Sequence, residues 1–540
     1  MCLVGIKEAG LRVGVHLNIA TDESGADLAG YLEVPAANQH AAFQLKPEGL
    51  QLRNVVLKIV HGFSLLLARV GFMRLKPLVI VSALSLVSSL ALVSPVAPAT
   101  AAIVPHAISA RQITPDWVKN STVYEVNVRQ FSQDGTFNAV TAALPRIKAL
   151  GTSTIWLMPI TPIGKLNAKG SIGSPYSVAN YTAVNPDYGT DADFKNLVDT
   201  AHGLGMKVVL DWVADHSAWD NPWITEHPDW YVHDGNGNIT WPVGTDWTDV
   251  AQLNYNNAGL QQGMIDAMKY WVTNFNIDGY RCDAAGMVPT AFWEAATTAV
   301  NQIKQLWWLA EDQSSSDLLL QAFSANYNWQ LLHALNTVGG KDDIAMAISG
   351  SSMNYPAGTY PMNFITNHDE NSWNGTEFQR LGNAVKLSAA ITYLTPGIPL
   401  IYDGQEIGMN HQLQFFEKDP ISWGTDPAAS EWTAFFQKLN HLRANNSSLW
   451  SGNGSGALSF LDINNPRVLG FGRYTKTNRV FGFFNMNGQP AKYTVKWPSN
   501  LAGSYVSFQN GKRYKLVKGQ KLVVSMPAWG YYLYSTAAAK

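Results

Sequence analysis

The feature that most constrains the fold of this chain is an alternation of short β-rich runs with helix-like stretches. Seven such runs begin near residues 121, 153, 206, 277, 306, 360 and 397. Strands that alternate with helices predict a parallel sheet, and this many units predict a closed (β/α)8 TIM barrel, an α/β fold. We predict a further, weaker strand near Asn326 to Leu332 as the eighth. An open doubly wound sheet is the structural alternative, but no Gly-rich phosphate loop follows the first run.

Two regions depart from this alternation. Residues 217–257 are too many for a simple strand-to-helix turn, so we predict a small excursion domain after strand three, inserted in the barrel. After about residue 445, Gly- and Asn-rich turns separate alternating strands. We therefore predict a catalytic (β/α)8 barrel over residues 102–445 and a separate C-terminal antiparallel β-sandwich domain over residues 446–540.

The beginning of the chain contains a segment typical of export. From Met73, a basic start precedes a 16-residue apolar run (78–93) and the sequence Ala99-Thr100-Ala101, which fits the A-x-A cleavage pattern. The run is shorter than the ~20 residues that a membrane span needs. We therefore predict a signal peptide at residues 73–101, a secreted or periplasmic protein and no stable membrane span. Residues 1–72 are interpreted as a start-site artefact or a disordered extension, with a genuine extension and an uncleaved anchor as the alternative.

Charge and aromatic content indicate the class of partner. The 540 residues include 38 basic and 40 acidic ones, without basic runs, which argues against nucleic acid. Many of the 19 tryptophans stand among Gly, Asn, Asp and Pro in predicted loops. Flat apolar rings beside polar groups suit a sugar, although for any single ring the packing of a long loop is the alternative. The tryptophans in predicted loops are Trp219, Trp223, Trp230, Trp241, Trp247, Trp373 and Trp423.

Charged residues stand where the predicted barrel strands end. Arg281 and Asp283 are two residues apart and point to the same side of one strand, either as an ordinary buried ion pair or as part of a site. Glu311 follows Asp283 by 28 residues, and Asp369 follows Glu311 by 58. These offsets are typical of one and two βα units. Because carboxyl ends of barrel strands converge, we predict the three acids on strands four, five and seven at one mouth.

Three crowded carboxylates favour acid–base chemistry. Their repulsion raises the proton affinity of at least one of them, so that it acts as an acid near neutral pH. Retaining glycoside hydrolysis needs a carboxylate nucleophile and a carboxylic acid roughly 5 Å apart. A divalent-metal cluster is the alternative. Because Arg281 neighbours Asp283 and His368 neighbours Asp369, charge tuning is favoured over metal ligation.

Four segments resemble the signature of the α-amylase family of glycoside hydrolases. They are D-W-V-A-D-H at 211, G-Y-R-C-D-A-A at 279, L-A-E-D at 309 and F-I-T-N-H-D at 364, supported by M-P-I at 158, S-P-Y-S-V-A-N-Y at 174, G-Q-E at 404 and the closing P-A-W-G-Y. The resemblance covers essentially the whole predicted mature chain in order. It implies a glycosidase with alpha-amylase activity, cleaving α-1,4 bonds of starch, glycogen or maltodextrins with retention.

The resemblance also implies roles for individual residues. Asp283 would be the nucleophile, Glu311 the general acid and then the base, and Asp369 the acid that binds sugar hydroxyls and favours the distorted ring. Arg281 would hold Asp283 ionised. The further substrate-binding residues that it implies are His216 and His368, which hydrogen-bond the sugar at the cleavage point, Tyr176, which stacks on that sugar, and Asp211, which steadies the mouth near Arg281.

Two departures from the family pattern affect the expectations. Asp215 stands where the family usually has an Asn that ligates calcium, so calcium is the cofactor implied, with Asp215 as its candidate ligand. After Asp283, the segment up to Met287 lacks the Lys-His of many endo-acting members, so binding on the leaving-group side is expected to differ.

The expected partner is an α-glucan polysaccharide or oligosaccharide, and the chain is expected to act as a monomer. Open alternatives are an α-glucan transglycosylase, a cyclomaltodextrinase or an α-1,6-glucosidase, and more remotely a non-catalytic carbohydrate-binding protein.

Overall fold

A computed structural model describes residues 5–8, 11–14, 16–21, 28–33 and 114–537, apart from 316, 338–339, 425–426 and 453–454. The chain divides into two compact units, Met1–Val104 and Pro105–Lys540. In the first unit, the described residues form two antiparallel hairpins, which join Gly5–Glu8 with Leu11–Gly14 and His16–Thr21 with Leu28–Glu33. The predicted signal peptide, residues 73–101, lies outside the described residues.

Eight parallel strands close a barrel in the second unit. Each strand pairs with the next in sequence, and the last pairs with the first, so the predicted TIM barrel is confirmed and an open sheet is excluded. The strands are β1 (Val123–Val126), β2 (Thr154–Leu157), β3 (Lys207–Val213), β4 (Gly279–Asp283), β5 (Trp307–Ala310), β6 (Ala325–Tyr327), β7 (Tyr360–Asn363) and β8 (Ile398–Tyr402).

The weakest predicted strand is present, but it is shorter than expected. β6 ends at Tyr327, and a helix begins at Trp329 after Asn328, whose side chain accepts a hydrogen bond from the Leu331 amide. Leu332, which was expected in the strand, lies in this helix and is fully buried. The prediction was wrong here because a short apolar run looks the same in a buried strand and in a buried helix.

Helices pack against the outer face of the barrel. Tyr280 and Cys282 belong to the apolar cluster that includes the helices, whereas Trp156, Val209 and Leu309 belong to a separate cluster inside the barrel. Alternation along β4 therefore directs residues 281 and 283 inward. The α-helices among the described residues, including the short one of the excursion, are Val128–Phe131, Phe137–Ala149, Asp191–Gly203, Trp223–Glu226, Ala258–Phe275, Thr290–Asn301, Leu318–Gln321, Trp329–Asn336, Lys341–Met353, His368–Asn374, Glu377–Leu381, Val385–Leu394 and Pro427–Asn445.

An excursion leaves the barrel after β3, in the region where the sequence predicts one. It contains a short antiparallel pair, His216–Ala218 with Val250–Gln252. The chain returns to the barrel at the helix Ala258–Phe275, which Asn257 caps by accepting hydrogen bonds from the amides of its first turn. Across the described residues, no helix combines the length and the apolar character that crossing a membrane requires.

The chain after the helix Pro427–Asn445 is built of antiparallel strands, as predicted for the C-terminal region. The strands are β9 (Ala457–Phe460), β10 (Val468–Tyr474), β11 (Arg479–Asn485), β12 (Ala491–Lys496), β13 (Gly503–Ser507), β14 (Arg513–Leu516), β15 (Lys521–Met526) and β16 (Tyr531–Ser535). Six form a sheet in the order β9-β10-β11-β16-β13-β14, and β12 pairs with β15. Phe481, Tyr493 and Trp497 pack together in the core between the two sheets.

Candidate active site

Arg281 lies at the centre of a buried charge cluster at the carboxyl end of the barrel. Its side chain is inaccessible to solvent. Nη1 donates to Asp211 Oδ1 and to Asp283 Oδ1, each at 2.8 Å, and Nη2 lies 3.0 Å from Glu311 Oε2. One guanidinium group therefore faces three carboxylates, which come from the ends of the neighbouring strands β3, β4 and β5.

The backbone beyond β4 positions Glu311. Ala284 follows the strand directly and adopts a left-handed conformation with φ of 41°, which residues other than glycine rarely adopt. Its amide donates to Glu311 Oε2 at 2.8 Å, and the Glu311 amide donates to the Cys282 carbonyl oxygen at 2.9 Å. The end of β4 thus holds Glu311 through both its side chain and its backbone.

Burial and neighbouring charges make Glu311 a proton donor. Burial raises the pKa of Glu311 to about 8, and the negative charges of Asp283 and Asp369 raise this pKa as well, against the opposing effect of Arg281. The side chain nevertheless keeps 18% of its surface exposed. Glu311 is therefore protonated at neutral pH and open to a ligand.

His368 and Asp369 begin the helix that follows β7, and they are joined to the cluster around Arg281. His368 Nε2 lies 2.7 Å from Tyr176 Oη and 3.3 Å from Asp369 Oδ2. Tyr176 Oη in turn donates to Asp211 Oδ2 at 3.0 Å. Asp369 is the most exposed of the three predicted acids, with 30% of its side chain accessible. The structure thus brings seven predicted residues into one contact network: Tyr176, Asp211, Arg281, Asp283, Glu311, His368 and Asp369.

Glu125 is a member of this network that the sequence analysis missed. It lies on β1 without solvent exposure, and its Oε1 is 2.5 Å from His368 Nδ1. Burial lowers the pKa of His368, but Asp369 and Glu125 outweigh this effect and bring the pKa to about 9. His368 is therefore an imidazolium at neutral pH, with both ring nitrogens as donors. An acid inside the apolar run of β1 is the signal that indicates such a role.

Aromatic rings enclose Arg281, and two of them were also missed. The guanidinium carbon lies 5.2 Å from the ring centre of Trp156 on β2, 5.6 Å from that of Tyr176 and 5.5 Å from that of Tyr327 on β6. Tyr327 Oη accepts a hydrogen bond from Arg281 Nε at 3.0 Å. The rings stabilise the cation and fix its orientation. Aromatic residues in apolar strands carry no sequence signal that separates this role from ordinary core packing.

The contacts of Asp215 and His216 lie apart from this network. Both residues are buried, and Asp215 Oδ2 is 3.4 Å from His216 Nδ1. The His216 ring packs edge-on against Trp247, with 5.5 Å between ring centres. The structure therefore places this predicted pair at the base of the excursion, where the described contacts do not join it to Arg281.

The described acids of the excursion do not gather into a cluster that would support the calcium expectation. Calcium takes roughly six to eight oxygen ligands. Within the part of the chain that the structure describes, no group of three or more His, Cys, Asp or Glu side chains could hold a metal ion. Asp249, the buried acid beside the strand Val250–Gln252, is paired with Lys169 Nζ at 3.2 Å.

Comparisons with known proteins agree with this geometry. The family described as "Alpha amylase, catalytic domain" matches residues 112–307. A crystal structure of an alpha-amylase from Lactobacillus plantarum is 33% identical, with a TM-score of 0.68, and the match covers 78% of this chain and 99% of that chain. "Alpha-amylase MalA" from Haloarcula japonica is 26% identical over 72% of this chain, which spans only 58% of the length of MalA.

A third relative is named for a different activity. "Alpha-1,4-glucan:maltose-1-phosphate maltosyltransferase" from Mycolicibacterium smegmatis is 34% identical over 177 residues, 29% of this chain and 25% of the transferase. The similarity to the Lactobacillus enzyme, by contrast, extends over nearly the whole of that enzyme and over 78% of this chain. The chain therefore belongs to the α-amylase family of glycoside hydrolases, and it is an enzyme that acts on glycosidic bonds.

Proposed function

We propose that this enzyme hydrolyses α-1,4-glucosidic bonds of starch, glycogen or maltodextrins with retention of configuration. The observation that carries the proposal is that Asp283 and Glu311 share one guanidinium group, while the pKa of Glu311 is raised to about 8. Retention requires two carboxyl groups close together, one as nucleophile and one as acid. The α-1,4 linkage is proposed because relatives are named alpha-amylases and an α-1,4-glucan transferase.

In the first step, Asp283 attacks the anomeric carbon while Glu311 donates its proton to the glycosidic oxygen. Arg281 holds Asp283 Oδ1 at 2.8 Å, so Oδ2 is the oxygen left for the attack. The bond from the anomeric carbon to the leaving oxygen breaks as the bond to the carboxylate forms. The leaving sugar takes the proton, and Glu311 becomes a carboxylate.

In the second step, Glu311 acts as the base. The ester on Asp283 no longer carries the negative charge that raised the pKa of Glu311, so this pKa falls and the carboxylate form persists. Glu311 then accepts a proton from a water molecule, whose oxygen attacks the anomeric carbon and displaces Asp283. Two inversions at the same carbon give net retention.

The remaining residues of the network bind the sugar at the cleavage point in this proposal. Tyr176 offers its ring face, and the exposed Asp369 accepts hydrogen bonds from sugar hydroxyls. Both N–H groups of the His368 imidazolium face protein partners, so its contact with the sugar is proposed only because of its match to the family segment. Asp211 keeps Arg281 in place through the 2.8 Å contact with Nη1. His216 is included as a further sugar ligand only because of its match to the family segment.

The decisive experiment follows the hydrolysis of maltopentaose by proton NMR. We expect the α anomer to appear first and to mutarotate slowly toward the β anomer. Glu311→Gln is the matched control, because it removes the acid while it keeps the side-chain shape. Initial release of the β anomer, or no cleavage of any α-glucan by the intact enzyme, would reject the proposal.

Transfer to a sugar hydroxyl is the second candidate, because one relative is named a maltosyltransferase. Water and a sugar hydroxyl compete for the same covalent intermediate. Products longer than maltopentaose in the same assay would indicate transfer. Parallel reactions with a cyclodextrin and with an α-1,6-linked oligosaccharide separate the cyclomaltodextrinase and α-1,6-glucosidase alternatives.

Export is a separate proposal. It is supported by the basic start, apolar run and A-x-A site within residues 73–101. We expect the exported protein to begin at Ala102, as determined by N-terminal sequencing after expression of the full chain in a secreting host. Recovery of an unprocessed chain only inside the cell would contradict this proposal.

A further inference from the structure

Charge is distributed very unevenly along the chain. Residues 463–540 contain twelve Lys and Arg residues and no Asp or Glu, so all 40 acidic residues of the chain precede them. The near balance of the whole chain, which argues against nucleic acid, conceals this separation. Like charges that are crowded in one region repel one another unless an opposite charge neutralises them. The strands from β10 onward therefore form a basic region in an otherwise acidic chain.

Lysines gather on the outer face of the two-stranded sheet of β12 and β15. Lys496 on β12 pairs directly with Lys521 on β15, and Lys492 lies four residues before Lys496 on the same strand. The side chains of Tyr493 and Val495 belong to the core between the sheets. Because side chains alternate along a strand, the three lysines point away from this core, and all three are exposed.

A fourth exposed lysine stands at one end of this face. Lys518 belongs to the turn that leads into β15, and the amide of the next residue, Gly519, donates to the Trp497 carbonyl oxygen at 2.9 Å. This hydrogen bond holds the turn beside the end of β12, where Lys496 lies. We call these four residues the lysine surface: Lys492, Lys496, Lys518 and Lys521.

No described carboxylate neutralises the lysine surface. Two like charges on directly opposite residues of a sheet, such as Lys496 and Lys521, destabilise the pair of strands. Within residues 114–537, apart from the gaps given above, the lysines that form ion pairs all precede the basic region; they are Lys119, Lys169, Lys195, Lys207 and Lys304. The lysine surface therefore has an uncompensated positive charge that favours an anionic partner.

The side chain between the lysines indicates the kind of partner. Val523 pairs with Thr494, in the middle of the same face, and it leaves 60% of its surface exposed. No aromatic ring lies on this face of β12 and β15, so it has nothing on which nucleic acid bases could stack. An aliphatic side chain among lysines gains free energy at the boundary between lipid headgroups and acyl chains, and a soluble polyanion offers no such boundary.

We propose that the lysine surface docks this enzyme on the anionic headgroups of a phospholipid membrane. The ammonium groups bind the headgroup phosphates, while Val523 contacts the apolar boundary beneath them. The contact is peripheral and needs no membrane-spanning helix. It is formed by the C-terminal strands alone, so it is independent of the chemistry proposed for the barrel.

The test is co-sedimentation of the purified full chain with vesicles. We expect binding to vesicles of equimolar phosphatidylglycerol and phosphatidylcholine to exceed binding to pure phosphatidylcholine, and the excess to disappear as NaCl is raised. One lysine near an anionic membrane contributes about fivefold in affinity, so the double variant Lys496→Gln/Lys521→Gln should bind the anionic vesicles about twentyfold more weakly. Lys148→Gln, on the exposed side of the helix Phe137–Ala149, is the matched control and should bind like the parent.

Two further readouts separate docking from folding and from other partners. The double variant removes a like-charge pair, so its unfolding midpoint in urea should equal or exceed that of the parent. Val523→Ser should weaken binding to the vesicles but leave retention on a polyphosphate column unchanged.

Three results would overturn the proposal. The first is an excess on anionic vesicles that is absent, or that survives in the double variant. The second is lysine-dependent binding to duplex DNA or polyphosphate that is tighter than binding to the vesicles. The third is self-association in sedimentation velocity that the double variant abolishes, since a second copy of the acidic barrel would then be the partner.

Discussion

Buried arginines occur at both ends of the barrel, but their partners differ. At the carboxyl end, Arg281 contacts three carboxylates. At the amino end, Arg443 and Arg473 are almost inaccessible and donate to backbone carbonyl oxygens, including those of Ser121 and Gly456, each at 2.9 Å. The first arrangement is rich in negative charge, whereas the second has only partial charges around two cations.

The proton affinities follow from this difference. Burial lowers the pKa of Arg443 to about 10 and that of Arg473 to about 9, where the positive charge of Arg443 contributes as well. Burial acts on Arg281 in the same direction, but its carboxylate partners reverse the effect and raise its pKa. The two arginines at the amino end therefore link backbone segments through hydrogen bonds. At the carboxyl end, Arg281 instead positions the proposed nucleophile Asp283 and the proposed acid Glu311, and burying this charge cluster costs some stability. The variants below test this contrast.

The largest effect is expected for Asp283→Asn. Removing the nucleophile should lower turnover of maltopentaose by roughly 10⁴-fold or more, because the amide does not form the covalent intermediate. Circular dichroism should show an intact fold. Asp342→Asn, on an exposed helix start, is the control and should keep full activity. Near-normal turnover of Asp283→Asn would reject its role.

Arg281→Met should have the next largest effect. It removes the donor to Asp283 and leaves Asp211 buried without its cation, so kcat should fall by about 10²–10³-fold. The unfolding midpoint in urea should fall as well, since a buried pair is broken. A variant with unchanged kcat would show that the charge cluster is only structural.

The pH dependence provides a finer test. Because the pKa of Glu311 is about 8 and the proton donor is its acid form, kcat/KM should fall as the pH rises through about 8. The charge of Asp369 raises this pKa. In the residual activity of Asp369→Asn, the alkaline limb should therefore move to lower pH, and a limb that stays in place would contradict the coupling.

The same acid predicts a stability difference. Glu311 binds its proton more tightly in the folded state than its ordinary value of 4.5 implies, so the stability contribution of this group is full below pH 4.5 and is lost as the pH rises through about 8. Glu311→Gln does not titrate, so thermal melts should show it more stable than the parent at pH 8–9, with the difference shrinking toward pH 4. A constant difference would point to another cause.

The smallest effect on activity is expected at the amino end. Arg473→Met leaves the Gly456 and Trp450 carbonyl oxygens without their donor, which should lower the free energy of unfolding by about 1–3 kcal/mol. Because no carboxylate of the site depends on it, kcat should be unchanged. Arg467→Met, on the exposed surface, is the control for the substitution itself. A loss of kcat in Arg473→Met would contradict the view that the arginines at the amino end affect only stability.

The sequence predicted the barrel and the convergence of its acids because both depend on periodicity. A two-residue spacing directs Arg281 and Asp283 to one side of β4, and offsets of whole βα units bring Glu311 and Asp369 to the same end. The boundary of β6 was not predictable in this way, since Leu332 is apolar in either conformation. Glu125 was missed because its role depends on His368, which lies 243 residues away in the chain.

The amino-acid sequence by itself determined the order of strands and helices, the face of each strand that turns inward, and the convergence of Asp283, Glu311 and Asp369 at one mouth. The tertiary structure alone decided which charges meet, because barrel closure sets β1 beside β8 and brings Glu125 within reach of His368. It also decided that one guanidinium group contacts three carboxyl groups. Distances and burial across the closed barrel set these contacts and the pKa of Glu311, and no local spacing in the chain encodes them.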